Sequence, residues 1–181
     1  MTAVPAEKKY TIQDIEALSD DKHAELIGGE IYMMAPPSRL HQEIVSEVLT
    51  AINNHIRSNN GKCRAYPAPF AVRLFADDST YLEPDISVIC DNEKLTDKGC
   101  SGAPDWVIEV VSPESVERDY YRKLMLYQSA GVREYWIINP MERKVNVYFF
   151  PEFQTYEFSN DIPVRIYPGF SIRITELMYN N

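Results

Sequence analysis

The run Asp105-Trp106-Val107-Ile108-Glu109-Val110-Val111 is apolar on both of its alternating faces except at one glutamate. A strand of that kind is covered on both sides, so the sheet that holds it must have layers above and below. An ionised carboxylate buried without compensation is costly, and Glu109 therefore needs a neighbour that offsets its charge. Upstream, Glu83-Pro84-Asp85-Ile86-Ser87-Val88-Ile89 repeats the oddity, with an acid at the mouth of another apolar strand. Downstream, Ser112-Pro113 stops the Glu109 strand, and a helix runs from about Ser115 to Ala130, ended by Gly131. Glu134 to Asn139 is the next strand. Strand, helix of about four turns, strand implies a right-handed crossover and a parallel pair.

The remaining segments fit around this unit. A short helix spans 11–18, capped by the Thr11 hydroxyl. Glu25 to Met34 reads as two strands around Gly28-Gly29, and an amphipathic helix follows from about His41 to Arg57. Residues 62–75 form a strand broken by Pro67 and Pro69, near an edge or at a bend. Asp77 to Thr80 is a turn leading to the Asp85 strand, and residues 91–104 are a polar loop. Segments 144–150, 153–158 and 163–174 read as an antiparallel meander. The whole is a mixed α/β sheet in one domain over residues 1–181, with neither an internal repeat nor a linker.

Composition narrows the function classes. A chain of 181 residues buries about two-thirds of its unfolded surface, enough for one ordinary core. No stretch reaches the ~20 apolar residues of a membrane span, and the N-terminus has no signal-peptide pattern. Three cysteines, Cys63, Cys90 and Cys100, match no zinc spacing. Cys90 on its apolar strand reads as a buried thiol, which fits a reduced, cytoplasmic setting. The net charge of −9 weighs against nucleic-acid binding, since Lys and Arg supply most of its non-specific affinity. Arg118, Arg122 and Lys123 nevertheless fall within six positions, a local basic lip on an acidic body.

Alternation puts Asp85, Ser87 and Ile89 on one face of their strand and Val107, Glu109 and Val111 on one face of theirs. If the strands are neighbours, Asp85 and Glu109 converge on one hard cation. Mg²⁺ suits carboxylate oxygens with water and substrate phosphate in its remaining positions. Such an ion polarises a phosphoryl oxygen and acidifies an attacking water. Lys123, on the crossover helix one turn after Asp119 and one before Tyr127, is the candidate cation to steady developing charge.

These residues carry a resemblance. Pro84-Asp85 followed by Glu109 twenty-four positions later resembles the PD-(D/E)XK nuclease superfamily, except that Val111 stands where that motif has lysine. The chain from Pro104-Asp105 through Ser112-Pro113, Arg118-Asp119, Lys123-Leu124, Tyr127 and Gly131 to Ile137 is similar to the Uma2 (DUF820) family of restriction-endonuclease-like proteins. Glu25 to Ile31, Ala35-Pro36-Pro37 and His41-Gln42 also match, so the resemblance covers residues 10–175. It implies a core of helix, three strands, helix and strand. It further implies Asp85 and Glu109 as metal ligands, Lys123 as the catalytic cation moved onto the helix, and His41 beside them.

The expectation is thus a Mg²⁺-dependent endonuclease acting on DNA, with Mn²⁺ able to substitute and a homodimer cutting both strands. Two other readings remain open. One is a non-catalytic scaffold on a nuclease-like fold, in which Glu109 is a structural ion-pair partner and Lys123 merely bridges Asp119. The other is hydrolysis of RNA or another phosphate ester.

Overall fold

The computed structural model describes residues 9–19 and 21–178. Helix α1 (Ile12–Glu16) begins at Thr11, whose backbone N–H and hydroxyl both donate to the Asp14 carboxylate, at 2.8 and 3.0 Å. The hairpin of β1 (Ala24–Ile27) and β2 (Glu30–Met33) turns on Gly28 and Gly29, with φ of +60° and +86°. A tight hairpin turn with both central residues at positive φ is one that glycine adopts without steric cost. Helix α2 (Arg39–Ser58) is capped by Ser38, whose Oγ accepts the His41 N–H at 3.2 Å.

The chain then lays down β3 (Arg64–Pro67), turns at the cis Ala68–Pro69 bond, and continues through β4 (Val72–Arg73) and β5 (Ile86–Ile89). Next come a 3₁₀ turn at Asn92–Lys94, β6 (Leu95–Thr96), β7 (Gly99–Ser101) and β8 (Trp106–Val110). The crossover helix opens with a π-helical stretch, Arg118–Lys123, and continues as α3 (Leu124–Ala130) up to Gly131 in the left-handed conformation. Strands β9 (Glu134–Asn139), β10 (Lys144–Phe149), β11 (Glu152–Glu157), β12 (Ile162–Pro163) and β13 (Ser171–Ile172) follow, then helix α4 (Ile174–Leu177).

Six strands form the main sheet in the order β11-β10-β9-β8-β5-β3. β8 and β9 run parallel, and every other pair is antiparallel. The parallel pair is the one expected on either side of the crossover helix, and α2, β3, β5, β8, crossover helix, β9 is the anticipated core order. Ile44, Val48, Ile52 and Ile56 of α2 pack against Ile86, Val88, Trp106, Ile108 and Trp136 on one face of the sheet. Tyr127 and Val132 pack against Ile89, Val107, Val111, Tyr135 and Ile137 on the other. β8 is therefore buried at all five positions, as its composition demands. Among the described residues no helix is long and apolar enough to cross a membrane.

Three expectations are corrected. Cys90 is not a free thiol: it is disulfide-bonded to Cys63. The β3–β5 register aligns Arg64 with Ile89, so one further step sets Cys63 opposite Cys90. Cys63 and Cys90 therefore give no sign of a reduced setting. The polar loop 91–104 holds β6 and β7, which with β4 build a separate three-stranded sheet. The helix after Ser112-Pro113 is not uniformly α-helical, because its first turns widen into the π stretch.

Candidate active site

The β5–β8 register pairs Ile86 with Ile108 and Ser87 with Val107, so its continuation by one residue places Asp85 opposite Glu109. Directly opposed side chains on neighbouring antiparallel strands stand about 5 Å apart at Cβ. Asp85 follows Pro84 at the strand mouth, and its carbonyl accepts the Ala68 N–H at 3.1 Å. Its Oδ2 accepts the Val110 N–H at 2.7 Å and meets His41 Nε2 at 3.1 Å. The first turn of α2 thus reaches the end of the sheet through His41. The His41 Nδ1 is buried without a hydrogen-bond partner among the described residues. Burial pulls the His41 pKa down, but the Asp85 hydrogen bond and charge outweigh it and leave the imidazole above its ordinary value.

Glu109, 4% exposed, is met by the crossover helix. Its Oε1 accepts from Lys123 Nζ and from the Tyr127 hydroxyl, both at 2.9 Å. Lys123, 3% exposed, also lies 2.9 Å from Glu25 Oε1 and 3.4 Å from Asp119 Oδ1. The π stretch explains how one helix delivers Asp119, Lys123 and Tyr127 together. Residues at i, i+4 and i+8 drift by about 80° around an α-helix. A wider turn rotates successive residues less, which keeps the three on one face; such turns recur at functional sites.

Three buried carboxylates therefore surround one ammonium. Burial raises the Glu109 carboxyl well above the usual range, and the charges of Asp119, Asp85 and Glu25 add to the rise. Burial raises Asp119 as well. Burial pulls Lys123 down, but the Glu109, Glu25 and Asp119 charges more than reverse this and hold the ammonium firmly protonated.

The donor set can be tested against a divalent cation. Among the described residues Glu109 hydrogen-bonds only through Oε1 and Asp85 only through Oδ2. Each carboxylate keeps one oxygen for a ligand. Glu25 Oε2 and Asp119 Oδ1 are buried acceptors without a hydrogen-bond partner, and the nearby donor Arg118 Nε also lacks one. No three His, Cys, Asp or Glu side chains among the described residues are gathered into a ready-made cage. The set fits an ion that takes two carboxylates and completes its shell with water and phosphate, as Mg²⁺ does. It does not fit an all-protein cage.

All four anticipated residues thus join one chain of contacts, His41–Asp85 and Glu109–Lys123, linked where Asp85 receives the N–H of the residue after Glu109. A model of the Uma2 family, described as "Putative restriction endonuclease", matches residues 11–175. The chain belongs to the Uma2 family. A solved structure titled as "a putative nuclease belonging to DUF820", from Anabaena variabilis, superposes with a TM-score of 0.75 and 25% identity. The alignment covers 92% of this chain and 96% of that one. A Synechocystis protein described as "Uncharacterized protein slr1290" is 26% identical over 129 residues, 71% of this chain and 66% of that relative's length. The fold of this Uma2 chain is accordingly that of a restriction-endonuclease-like family.

Sequence reasoning missed Glu25 as a member of the cluster. Its signal was available: Glu25 is an acid within the strand Ala24–Ile27, buried at every position, the same anomaly that marked Glu109. The short strand and the adjacent Gly28-Gly29 made it read as a hairpin residue. Asp119 was visible only as an i,i+4 partner of Lys123, and Tyr127 only as core. Glu30, by contrast, is exposed and pairs with Arg122 at 2.7 Å.

Proposed function

We propose that this Uma2 chain is a Mg²⁺-dependent endonuclease that hydrolyses phosphodiester bonds in DNA. The observation that supports it most is that Asp85 is bonded to the N–H of the residue after Glu109, each carboxylate with one oxygen uncommitted, beside the ammonium of Lys123. Asp85 Oδ1 and Glu109 Oε2 would hold the cation, which when bound polarises the phosphoryl oxygen and acidifies a water. Val110 N–H and His41 fix the Asp85 carboxylate. Tyr127 and Lys123 fix that of Glu109, and the Lys123 charge offsets negative charge that builds on the phosphoryl oxygens. Mn²⁺ substitutes in such a carboxylate-and-water site, and a homodimer would bring two sites to opposite strands.

The test is cleavage of plasmid and oligonucleotide DNA, with RNA in parallel, across Mg²⁺ and Mn²⁺ concentrations. Asp85→Ala and Glu109→Ala should each abolish metal-dependent cleavage while circular dichroism stays native. Absence of both cation binding by calorimetry and cleavage of any nucleic acid would falsify the proposal. A second reading, a non-catalytic scaffold, is favoured by one specific observation: Lys123 already neutralises Glu109 and three carboxylates crowd it. It expects no metal-dependent cleavage from the intact protein.

A further inference from the structure

We infer that the N-terminal hairpin is part of the site, and that Glu25 is the residue that positions Lys123. This rests on the reading of Lys123 as the site's cation. Lys123 Nζ is shared equally, 2.9 Å from Glu25 Oε1 and 2.9 Å from Glu109 Oε1. Without Glu25, Glu109 is the one partner at 2.9 Å and Asp119 stands 3.4 Å away on the lysine's own helix, so the ammonium can swing about Glu109. The second carboxylate supplies a second fixed point on a different element, which sets where the charge lies relative to Asp85 and Glu109.

Glu25 is itself held on several sides. The same Oε1 accepts the Glu83 backbone N–H at 3.1 Å, two residues before Asp85. The β1 backbone exchanges hydrogen bonds with the strand mouth, Leu26 N–H to Tyr81 O at 2.7 Å and Tyr81 N–H to Leu26 O at 2.9 Å. Its Oε2 lies 3.7 Å from Arg118 Nε at the start of the π stretch. Arg118 in turn stands over the Tyr32 ring of β2, 5.4 Å from its centroid. Glu25 thus ties three pieces together: the hairpin, the segment that presents Asp85, and the turn that presents Lys123. At 1% exposure, a carboxylate in that place has no solvent role. Its function is the register of the ammonium.

The experiment uses the full chain with Glu25→Gln, Glu25→Ala, Lys123→Met and the combination of Glu25→Gln with Lys123→Met. Glutamine keeps an acceptor for the Glu83 N–H, so it serves even if the alanine variant does not fold. The first readout does not need activity: the ¹H–¹⁵N signal of the Lys123 ammonium, assigned by its loss in Lys123→Met. Glu25→Gln should speed its hydrogen exchange by roughly tenfold or more, the loss of one charged hydrogen bond. The second readout is cleavage, where kcat should fall by roughly 10- to 100-fold with KM unchanged, as for other supporting residues of a metal site. Adding Glu25→Gln to Lys123→Met should cost nothing further, because the two act as one unit. An unchanged Lys123 signal in a folded Glu25→Gln protein overturns the inference. So do kcat losses that multiply in the double variant. If the native protein cleaves nothing, the functional reading fails, while the exchange measurement still decides Glu25.

Discussion

Two buried acids in neighbouring strands differ in what offsets their charge. Glu134, fully buried, is satisfied by donors: the Trp136 indole at 2.7 Å and the Arg165 and Ile166 backbone N–H groups at 3.2 and 2.9 Å. Glu109 is met by the Tyr127 hydroxyl and by an ammonium that two other carboxylates also contest. Lys123→Met should therefore destabilise the protein by roughly 3–5 kcal/mol, since it leaves buried carboxylates uncompensated. Adding Glu109→Gln should recover part of that in urea denaturation; a Lys123→Met protein as stable as the native one would show the cluster to be hydrated. Glu134 gives a pH prediction. Burial lifts its folded pKa above the ordinary 4.5 despite the donors. The folded state then holds the proton more tightly than the unfolded chain, so this contribution to stability declines as pH rises from about 4.5 through the raised value. Glu134→Gln removes that slope, and its cost relative to native should shrink between about pH 4.5 and pH 7; a constant cost would contradict the burial argument. The site was legible in part. Asp85 and Glu109 stood out as acids in apolar runs, but Glu25 was masked by the brevity of its strand. Nothing in a linear pattern marks which buried acids share a partner.

Elements were legible where periodicity is sustained. The apolar stripe of α2 (Ile44, Val45, Val48, Leu49, Ile52 and Ile56) and the strand-helix-strand unit around the crossover helix emerged because 2-fold and 3.6-fold patterns persist over whole segments. The β4-β7-β6 sheet did not, since its strands are two or three residues long and β4 joins β7 across distant sequence. The π stretch was hidden for a different reason: Asp119, Lys123 and Tyr127 recur every fourth residue, a spacing an α-helix also satisfies. The disulfide was hidden because pairing depends on the β3–β5 register, which three cysteines cannot disclose. It closes a separation of 27 residues between an edge strand and its inner neighbour. Loop-closure entropy of that length is worth about 3.5 kcal/mol. Replacing both Cys63 and Cys90 with serine should lower the melting temperature by roughly 7–14 °C. Because the bond lies at the far end of β5 from Asp85, metal-dependent cleavage at a temperature where the variant is folded should persist. Loss of cleavage with native circular dichroism would mean that β5 transmits the change to the site.

The whole molecule carries 18 basic against 27 acidic residues, and this decides how it can meet a polyanion. A body of net charge −9 repels phosphate at long range, and only screening or a bound cation relieves that. Within the site the balance is also negative, with Glu25, Glu109 and Asp119 around Lys123. Arg122, part of the basic lip, is already paired with Glu30. DNA engagement should therefore depend on the divalent ion rather than on a field of lysines and arginines. Proteins that neutralise many phosphates lose affinity steeply with salt, with a log–log slope near −0.9 per phosphate contact. For this chain the slope should be shallow, on the order of two or three contacts. Binding should also strengthen when Mg²⁺ or Ca²⁺ is present, and that gain should vanish in Glu109→Ala. Fluorescence anisotropy of a labelled duplex, titrated at several NaCl concentrations with and without the ion, measures both. A steep slope that is indifferent to the divalent ion would mean a basic surface reads the backbone.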